Sequence, residues 1–410
     1  MDRRPVVVVI GTRPEAIKMF PVVLALRESE HVRPIVVTTG QHRDLVAPVL
    51  ATAGIEADVD LAVGRPALSV NDLVMAVMAG VADLLARLAA EEPDDAFYPA
   101  AVLVHGDTSS AMAAALAAFH TRVPVVHVEA GLRTRDPRSP FPEEMNRQLI
   151  GRLAVFHLAP TIYNAENLVR ERVPHELVFV TGNTAIDALQ WTAARHVPFT
   201  DPRVAELDAS DRRVVVVTAH RRENWGAGIA GIATAVRRLA AAHPEVGFVW
   251  PVHPNPRVSG PVREALGEID NVVLTDPLPY GEFARLLARA YLSISDSGGV
   301  QEEGPAVGTP VLVARESSER LEGVDTGALR LVGTDPDVIV GAAEELFSDP
   351  VAYVAMTSAP NPFGDGRAAA RIVAALEHIA VGTPEPTQFG SGFSRSAVLE
   401  AAGYGEGVTG

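Results

Sequence analysis

Short unbroken apolar runs alternate along the chain with longer stretches whose apolar positions recur every three or four residues. The runs "VVVVIG" (6–11), "PIVVTT" (34–39), "AVLVHGD" (101–107), "VVHVEA" (125–130) and "LVFVTG" (177–182) read as strands. They are apolar nearly throughout instead of alternating with polar residues, as strands covered on both faces of a parallel sheet are. Between them the helical period appears at 14–29, 41–53, 69–91, 109–121, 143–154 and 161–171. Strand and helix in alternation predict an α/β, doubly wound architecture.

The pattern breaks at 193–212, "AARHVPFTDPRVAELDASDR", which is polar, proline-punctuated and linker-like. It restarts with "RVVVVTAH" (213–220), "GFVWPVH" (247–253), "NVVLTD" (271–276), "YLSISDSGG" (291–299) and "TPVLVA" (309–314). A chain of 410 residues exceeds what one core usually serves. The division expected is therefore a domain at 1–192, a linker at 193–212 and a second domain at 213–364, then a helix at 365–379 that crosses back. Residues 380–410, rich in Gly, Ser and Pro, are expected to be a disordered tail. Open parallel sheets bind ligands at the carboxyl ends of their strands, so the expected site is a cleft between two such domains.

Charge narrows the ligand. The net charge of −16 argues against nucleic acid and anionic membranes as partners, but not against a small anion held by a few arginines. With no cysteine, thiolate catalysis, disulfides and zinc–thiolate sites are excluded. The amino terminus has only five consecutive apolar residues before Gly11, too few for a secretory leader. No apolar run approaches the ~20 residues of a membrane span, so a soluble cytoplasmic protein is expected.

Polar groups gather where the strands stop. In "GTRPEAIK", Arg13 and Lys18 put two positive charges near a helix amino terminus, which already favours an anion. "HGDTSSAM" ends a strand on Asp107, with Thr108 or Ser109 placed to cap the next helix. "VVHVEAGLRTRDPRSPFPEEMNR" (125–147) supplies Glu129 at a strand end and Glu143 at a helix start, with four arginines in between and after. That mixture reads as the wall of a site that grips an anion and keeps carboxylates for proton chemistry, since grouped carboxylates push one another's pKa values apart. Arg147, one turn after Glu143, is placed to pair with it or with a ligand. In the second half, "TAHRREN" ends a strand on His220 and Arg221, and "PVHPNP" holds His253. "SDSGGVQEEG" exposes the amides of Ser297, Gly298 and Gly299 at a helix start, a cradle for phosphate oxygens. Glu302 and Glu303 are expected in that helix's first turn, where one of them can accept the hydroxyls of a ribose.

Ten motifs in this order resemble the non-hydrolysing UDP-N-acetylglucosamine 2-epimerases, over Val6 to about Ile379: "GTRPEAIKM", "TGQHRDL", "VLVHGDT", "HVEAGLRT", "SPFPEEMNRQL", "VTGNTAIDAL", "TAHRREN", "PVHPNP", "SDSGGVQEE" and "NPFGDG". The resemblance implies two Rossmann-like domains in a glycosyltransferase-B arrangement with an interdomain cleft, and a homodimer. It implies interconversion of UDP-GlcNAc and UDP-ManNAc without cofactor or metal, by anti elimination of UDP to 2-acetamidoglucal and re-addition. Asp107, Glu129 and Glu143 then occupy the carboxylate positions that handle the carbon-2 protons. Arg13, Lys18, Arg147, His220 and the Ser297-Gly298-Gly299 amides face the substrate and its departing diphosphate. Glu303 is similar to the family's ribose ligand, Phe283 to part of its uridine pocket, and Arg320 to a further nucleotide contact. Gln41, Arg65, Glu143, Arg221 and His253 match a second, activating UDP-GlcNAc site of some bacterial members. Asp44 stands where such members commonly carry Gln, and "ERLEG" (319–323) replaces the usual "ERPEG". Three other readings stay open from the sequence: a hydrolysing epimerase, an epimerase of a related acetamido sugar nucleotide, and a glycosyltransferase of the same fold.

Overall fold

The computed structural model describes residues 3–64, 69–92, 98–318, 320–384 and 386–389. The chain forms two compact units, residues 1–188 with 364–410, and residues 189–363. In the first unit the strands are β1 (Arg4–Ile10), β2 (Val32–Thr38), β3 (Val59–Asp60), β4 (Ala101–His105), β5 (Val125–Val128), β6 (Phe156–Ala159) and β7 (Val178–Val180). Among the described residues they make one parallel sheet in the order β3-β2-β1-β4-β5-β6-β7. Every residue from Val6 to Ile10 is at most 2% exposed, which is why this strand shows no polar alternation. Val7 and Val9 face a layer built from Val77, Val81 and Leu85 of helix Val70–Glu91 and from the alanines of helix Ser109–His120.

The second unit repeats the plan with β8 (Val214–Thr218), β9 (Gly247–Pro251), β10 (Val272–Thr275), β11 (Leu292–Ser295), β12 (Val311–Val313) and β13 (Leu329–Leu331), in the order β10-β9-β8-β11-β12-β13. Phe248 and Trp250 of β9 lie on one face with Val215 and Val217, packed against Ile229, Val236 and Leu239 of helix Ala227–Ala242. In each sheet the strand order reverses beside the first strand, between β1 and β4 and between β8 and β11. Such switch points leave a crevice at the carboxyl strand ends, because the two neighbouring loops diverge to opposite faces. The loops after β4, β8 and β11 hold Asp107, His220 and Ser297 respectively, and Arg13 opens the helix that follows β1.

Several local expectations change. β3, β6 and β13 are two to four residues long and gave no separate apolar run. The polar stretch 193–212 contains helix Pro202–Asp208, capped by the Asp201 carboxylate on the Arg203 amide. Helix Val70–Glu91, at 22 residues and mean hydropathy 1.9, is long and apolar enough to cross a membrane by length and composition, contrary to the expectation that no segment approaches that length. The reading of apolar runs missed it because Asp83 and Arg87 interrupt the sequence, while Leu73, Val77, Val81, Leu84, Leu85 and Leu88 make its buried stripe. At the other end the helix from Ala368 runs to Val381. Beyond it Phe389 is 8% exposed, in the cluster with Val178 and Val180, and its amide donates to the Val180 carbonyl at 2.8 Å. The expected disorder thus does not begin at 380, and residues 390–410 lie outside the described residues.

Asp187 shows how the returning helix is anchored. Its carboxylate accepts the Ala368 amide at 3.2 Å and the Ala369 amide at 2.8 Å, capping the helix amino terminus. Burial nevertheless pushes its pKa up to about 6, because those amides offset only part of the lost hydration. An acid raised from 3.8 to about 6 adds its full stability below pH 3.8 and loses it as the pH rises through 6, by about 3 kcal/mol at 1.36 kcal/mol per unit. Denaturant unfolding of the native protein and Asp187→Asn from pH 4 to 7 should therefore show the native protein losing about 2 kcal/mol of this relative to the variant. A gap that stays constant would mean that Asp187 titrates normally.

Candidate active site

The first unit gathers its ionisable groups at the β1/β4 switch point and in the adjoining loop after β5. Lys18, one turn and a half into helix Arg13–Glu28, pairs with Oε1 of Glu129. Arg147 of helix Glu143–Leu153 pairs with Asp107. The two pairs feel each other: burial pushes the Asp107 carboxyl up, Arg147 pulls it back, the Glu129 charge raises it and the Lys18 charge lowers it. The net direction is upward, so Asp107 is held closer to proton exchange than a solvated aspartate. His105 presents Nε2 to Oε2 of Glu129 at 3.6 Å. Burial holds this imidazole down at about 4, so it is neutral near pH 7 despite the adjacent carboxylate.

Local backbone sets these positions. Glu129 itself has φ +62°, a left-handed conformation that costs an L-residue free energy and turns its side chain out of the strand direction. The next turn is closed by Gly131 at φ +95°, where a Cβ would lie 2.1 Å from the Asn164 carbonyl oxygen. Glu15 ties the β1 and β4 loops together. It accepts the Gly11 and Thr12 amides at 3.0 and 2.7 Å, and the Thr12 and Thr108 hydroxyls at 2.8 Å each. Thr108 rather than Ser109 caps the helix after β4, accepting the Ala111 amide.

The helix after the arginine loop behaves differently from expectation. Arg147 pairs not with Glu143 but with Asp107 and, at 3.1 Å, with Glu144. Glu144 is fully buried, whereas Glu143 is half-buried at the first helical position. Burial would raise the Glu144 carboxyl, but the Thr134 amide, Gln148 and Arg147 overcome it and hold the pKa below the ordinary value. Glu144 therefore folds the loop back on the helix. Arg133 is likewise a strut, with its guanidinium bidentate on Glu171 at 2.8 and 2.9 Å, so that arginine does not serve as an anion grip. Gln41 accepts the Ser110 hydroxyl at 2.7 Å, beside the same loops, while Arg65 lies outside the described residues.

In the second unit the organising group is Asp296, 0% exposed at the end of β11. It accepts the amides of His220 at 3.0 Å and Arg221 at 2.9 Å, and the Asn224 side chain at 3.0 Å. Burial would raise its pKa, but the His220 side chain and these amides prevail and hold it low. The His220 Nδ1 faces Asp296 at 3.2 Å, which fixes that nitrogen as the donor and turns Nε2 outward. Its ring stacks on His253, with centroids 6.1 Å apart and an interplanar angle of 11°. Ser297 precedes helix Gly298–Ala306, and a Cβ on Gly298 would meet the Arg320 guanidinium at 2.9 Å. Arg320 donates through Nε to Glu302 at 2.8 Å. Glu302 and Glu303 lie in the second turn of this helix, not the first. His220, Arg221, His253, Ser297, Gly298, Gly299 and Arg320 thus belong to loops and a helix start next to the β8/β11 switch point. Phe283, partly buried, packs against the apolar cluster that holds Leu207, Val249 and Leu286.

In the first unit, two ion-paired carboxylates beside an anion-receptive helix start suit proton transfer at an acidic carbon; within the second unit, a histidine beside a glycine-rich helix start suits binding of a phosphorylated group. Residues 24–377 match the model of the family described as UDP-N-acetylglucosamine 2-epimerase. The chain belongs to that family. A UDP-N-acetylglucosamine 2-epimerase of Yersinia pestis is 46% identical over 379 residues, covering 91% of this chain and 98% of its own. The UDP-GlcNAc 2-epimerase of Neisseria meningitidis, solved bound to UDP-GlcNAc, aligns with TM-score 0.77 at 39% identity over 91% of this chain and 99% of its own. The S. aureus MnaA–UDP structure aligns with TM-score 0.80 at 39% identity over 94% and 100%.

Within this epimerase-family chain, the sequence reading passed over Glu15, His105, Glu144 and Asp296. Glu15 had a signal, since Thr12 with Glu at the third helical position is a capping box. Asp296 ends a strand as Asp107 follows one, and the same logic would have found it. Gly131→Ala should destabilise the protein by about 3 kcal/mol, from the added positive-φ strain and the clash with Asn164. Thermal unfolding will check this, and an unchanged Tm would show that the turn relaxes.

Proposed function

We propose that this chain interconverts UDP-GlcNAc and UDP-ManNAc by the non-hydrolysing route, through elimination and re-addition of UDP. The observation that carries the reading is the pairing of Glu129 with Lys18 and of Asp107 with Arg147 in one electrostatically coupled cluster. Inversion at carbon-2 needs a proton removed from one face and delivered to the other, hence more than one acid–base group. In elimination the carbon-2 C–H electron pair becomes the C1=C2 bond, and the C1–O pair leaves with UDP. Re-addition reverses both movements after protonation of the opposite face. Asp107, Glu129 and Glu143 are the candidates for these transfers. A carboxylate already beside a cation accepts a proton without a large rearrangement of its surroundings, and the cation then remains to stabilise it when the proton departs.

The departing diphosphate calls for donors that do not need to reorganise. The Gly298 and Gly299 amides, the His220 ring and Arg13 fill that role in this proposal, with Lys18 and Arg147 holding the sugar side; the Ser297 amide, given to the Ser295 hydroxyl at 3.0 Å, joins them only by exchanging that bond. Glu303, Arg320 and Phe283 receive the nucleoside. We further propose a cytoplasmic homodimer without cofactor or metal, activated by a second UDP-GlcNAc at Gln41, Arg65, Glu143, Arg221 and His253. These points follow from the family resemblance.

Incubation with UDP-GlcNAc in heavy water tests the chemistry. Proton NMR should show deuterium at carbon-2 of both sugar nucleotides, with UDP not accumulating. Free ManNAc with stoichiometric UDP would instead identify the hydrolysing reaction, and full retention of protium would sink epimerisation altogether. For activation, UDP-GlcNAc should give a sigmoidal rate curve and pure UDP-ManNAc little turnover. Full activity on UDP-ManNAc alone would refute the second site.

A further inference from the structure

We propose that His105 is a positioning residue for Glu129, donating a hydrogen bond from Nε2 to Oε2 of the carboxylate whose Oε1 pairs with Lys18. The inference rests on the epimerase reading and adds a group to it. His105 is the last residue of β4 and is 3% exposed. Among the described residues its Nε2 is buried and has no hydrogen-bond partner. A buried polar atom left without a partner is costly, and such atoms call for an explanation. Here the explanation lies 3.6 Å away, at Oε2 of Glu129, just beyond hydrogen-bond reach. Oε1 of the same carboxylate pairs with Lys18.

Electrostatics decides which tautomer fits. An unprotonated Nε2 would set a lone pair against a carboxylate oxygen, which is repulsive. The proton therefore belongs on Nε2, where it points at Glu129. The ring stays uncharged in its buried site, and this matters for function. A second full positive charge beside Glu129 would make the carboxylate a poorer base, whereas a neutral donor fixes its orientation with far less cost in basicity. Orientation is at a premium because Glu129 springs from a left-handed backbone position just past the end of β5. Closing a gap of a few tenths of an ångström when substrate fills the site would complete the hydrogen bond, since catalytic contacts commonly tighten on binding.

Two substitutions separate positioning from packing. His105→Phe keeps the ring volume without the donor, and His105→Gln keeps a donor at the place of Nε2. With UDP-GlcNAc as substrate, His105→Phe should lower kcat on the order of 10²-fold with KM and the affinity for UDP nearly unchanged, and His105→Gln should recover most of the loss. Deuterium wash-in at carbon-2 should fall in step with kcat. The proposal is overturned if His105→Phe retains native kcat, if kcat and UDP affinity fall together, or if Gln rescues nothing while its Tm is native. Should both variants fail to fold, the native enzyme still decides. With UDP bound, imidazole ¹⁵N NMR must show His105 as the Nε2–H tautomer, and the Nδ1–H tautomer overturns the idea. If the native enzyme exchanges no deuterium at carbon-2, the epimerase reading falls instead, whatever the variants do.

Discussion

The first unit depends on keeping two carboxylates partly out of water at the ends of buried strands. Moving a carboxylate out of water costs several kcal/mol unless a counter-charge and hydrogen bonds take the place of hydration. Lys18 and Arg147 meet that requirement for Glu129 and Asp107, with both carboxylates retaining some exposure toward the crevice. Each cation reaches its partner from a helix that the β-sheet core already fixes, which is why the pairs hold one geometry. The pairing then dictates the surroundings. Arg147 must be held by Glu144, Glu144 must gather the Thr134 amide, and the loop from 129 to 144 must turn back over its own helix. Arg133 and Glu144 are therefore internal struts, while Arg135, Asp136 and Arg138 stay exposed on the loop.

The second unit solves the same problem with one buried acid. Asp296 takes two consecutive main-chain amides, one side-chain amide and the His220 ring. A carboxylate with that many donors is stable as an anion, so Asp296 orients and does not exchange protons. The contrast with Asp107 is instructive. Both lie at the switch point of their sheets, yet burial wins at Asp107 and hydrogen bonds win at Asp296. One is poised to titrate and the other is fixed, a division of labour decided by donor count.

The sequence disclosed the fold well because the strands of a doubly wound sheet are apolar on both faces, and Val6–Ile10 or Val214–Val217 admit no other reading. It disclosed the short edge strands poorly: β3 and β13 are too brief to have a period. Asp107, Glu129 and His220 were legible because each is polar at the point where an apolar run stops. Partners were not. Nothing in the one-turn spacing of Glu143 and Arg147 shows that the guanidinium turns to Asp107, because that choice is made by a residue 40 positions away. Phe283 was read through resemblance alone, and its packing with Leu207 and Val249 is what an amphipathic helix asks of a phenylalanine.

The buried histidines of the first unit press the same argument further. His105, His127 and His157 lie on the neighbouring strands β4, β5 and β6, and His127 and His157 stand directly paired. Burial holds all three neutral, at about 4, 3 and 4. Charging His127 would place a cation under the sheet's ligand end with no carboxylate beside it, and at His105 the neighbouring Glu129 does not outweigh burial. His127 illustrates the alternative use of a neutral ring, since its Nε2 meets the Gly106 carbonyl at 2.7 Å and so steadies the turn that leads into Asp107. Gly106 has φ +64°, so this turn needs such a brace. A neutral imidazole thus supplies a hydrogen bond beneath the site, while the positive charge that acts on Asp107 comes from Arg147 and Lys18. A site that must protonate and deprotonate carboxylates gains from that separation: its donors can be rigid and numerous without lowering the basicity on which proton transfer depends.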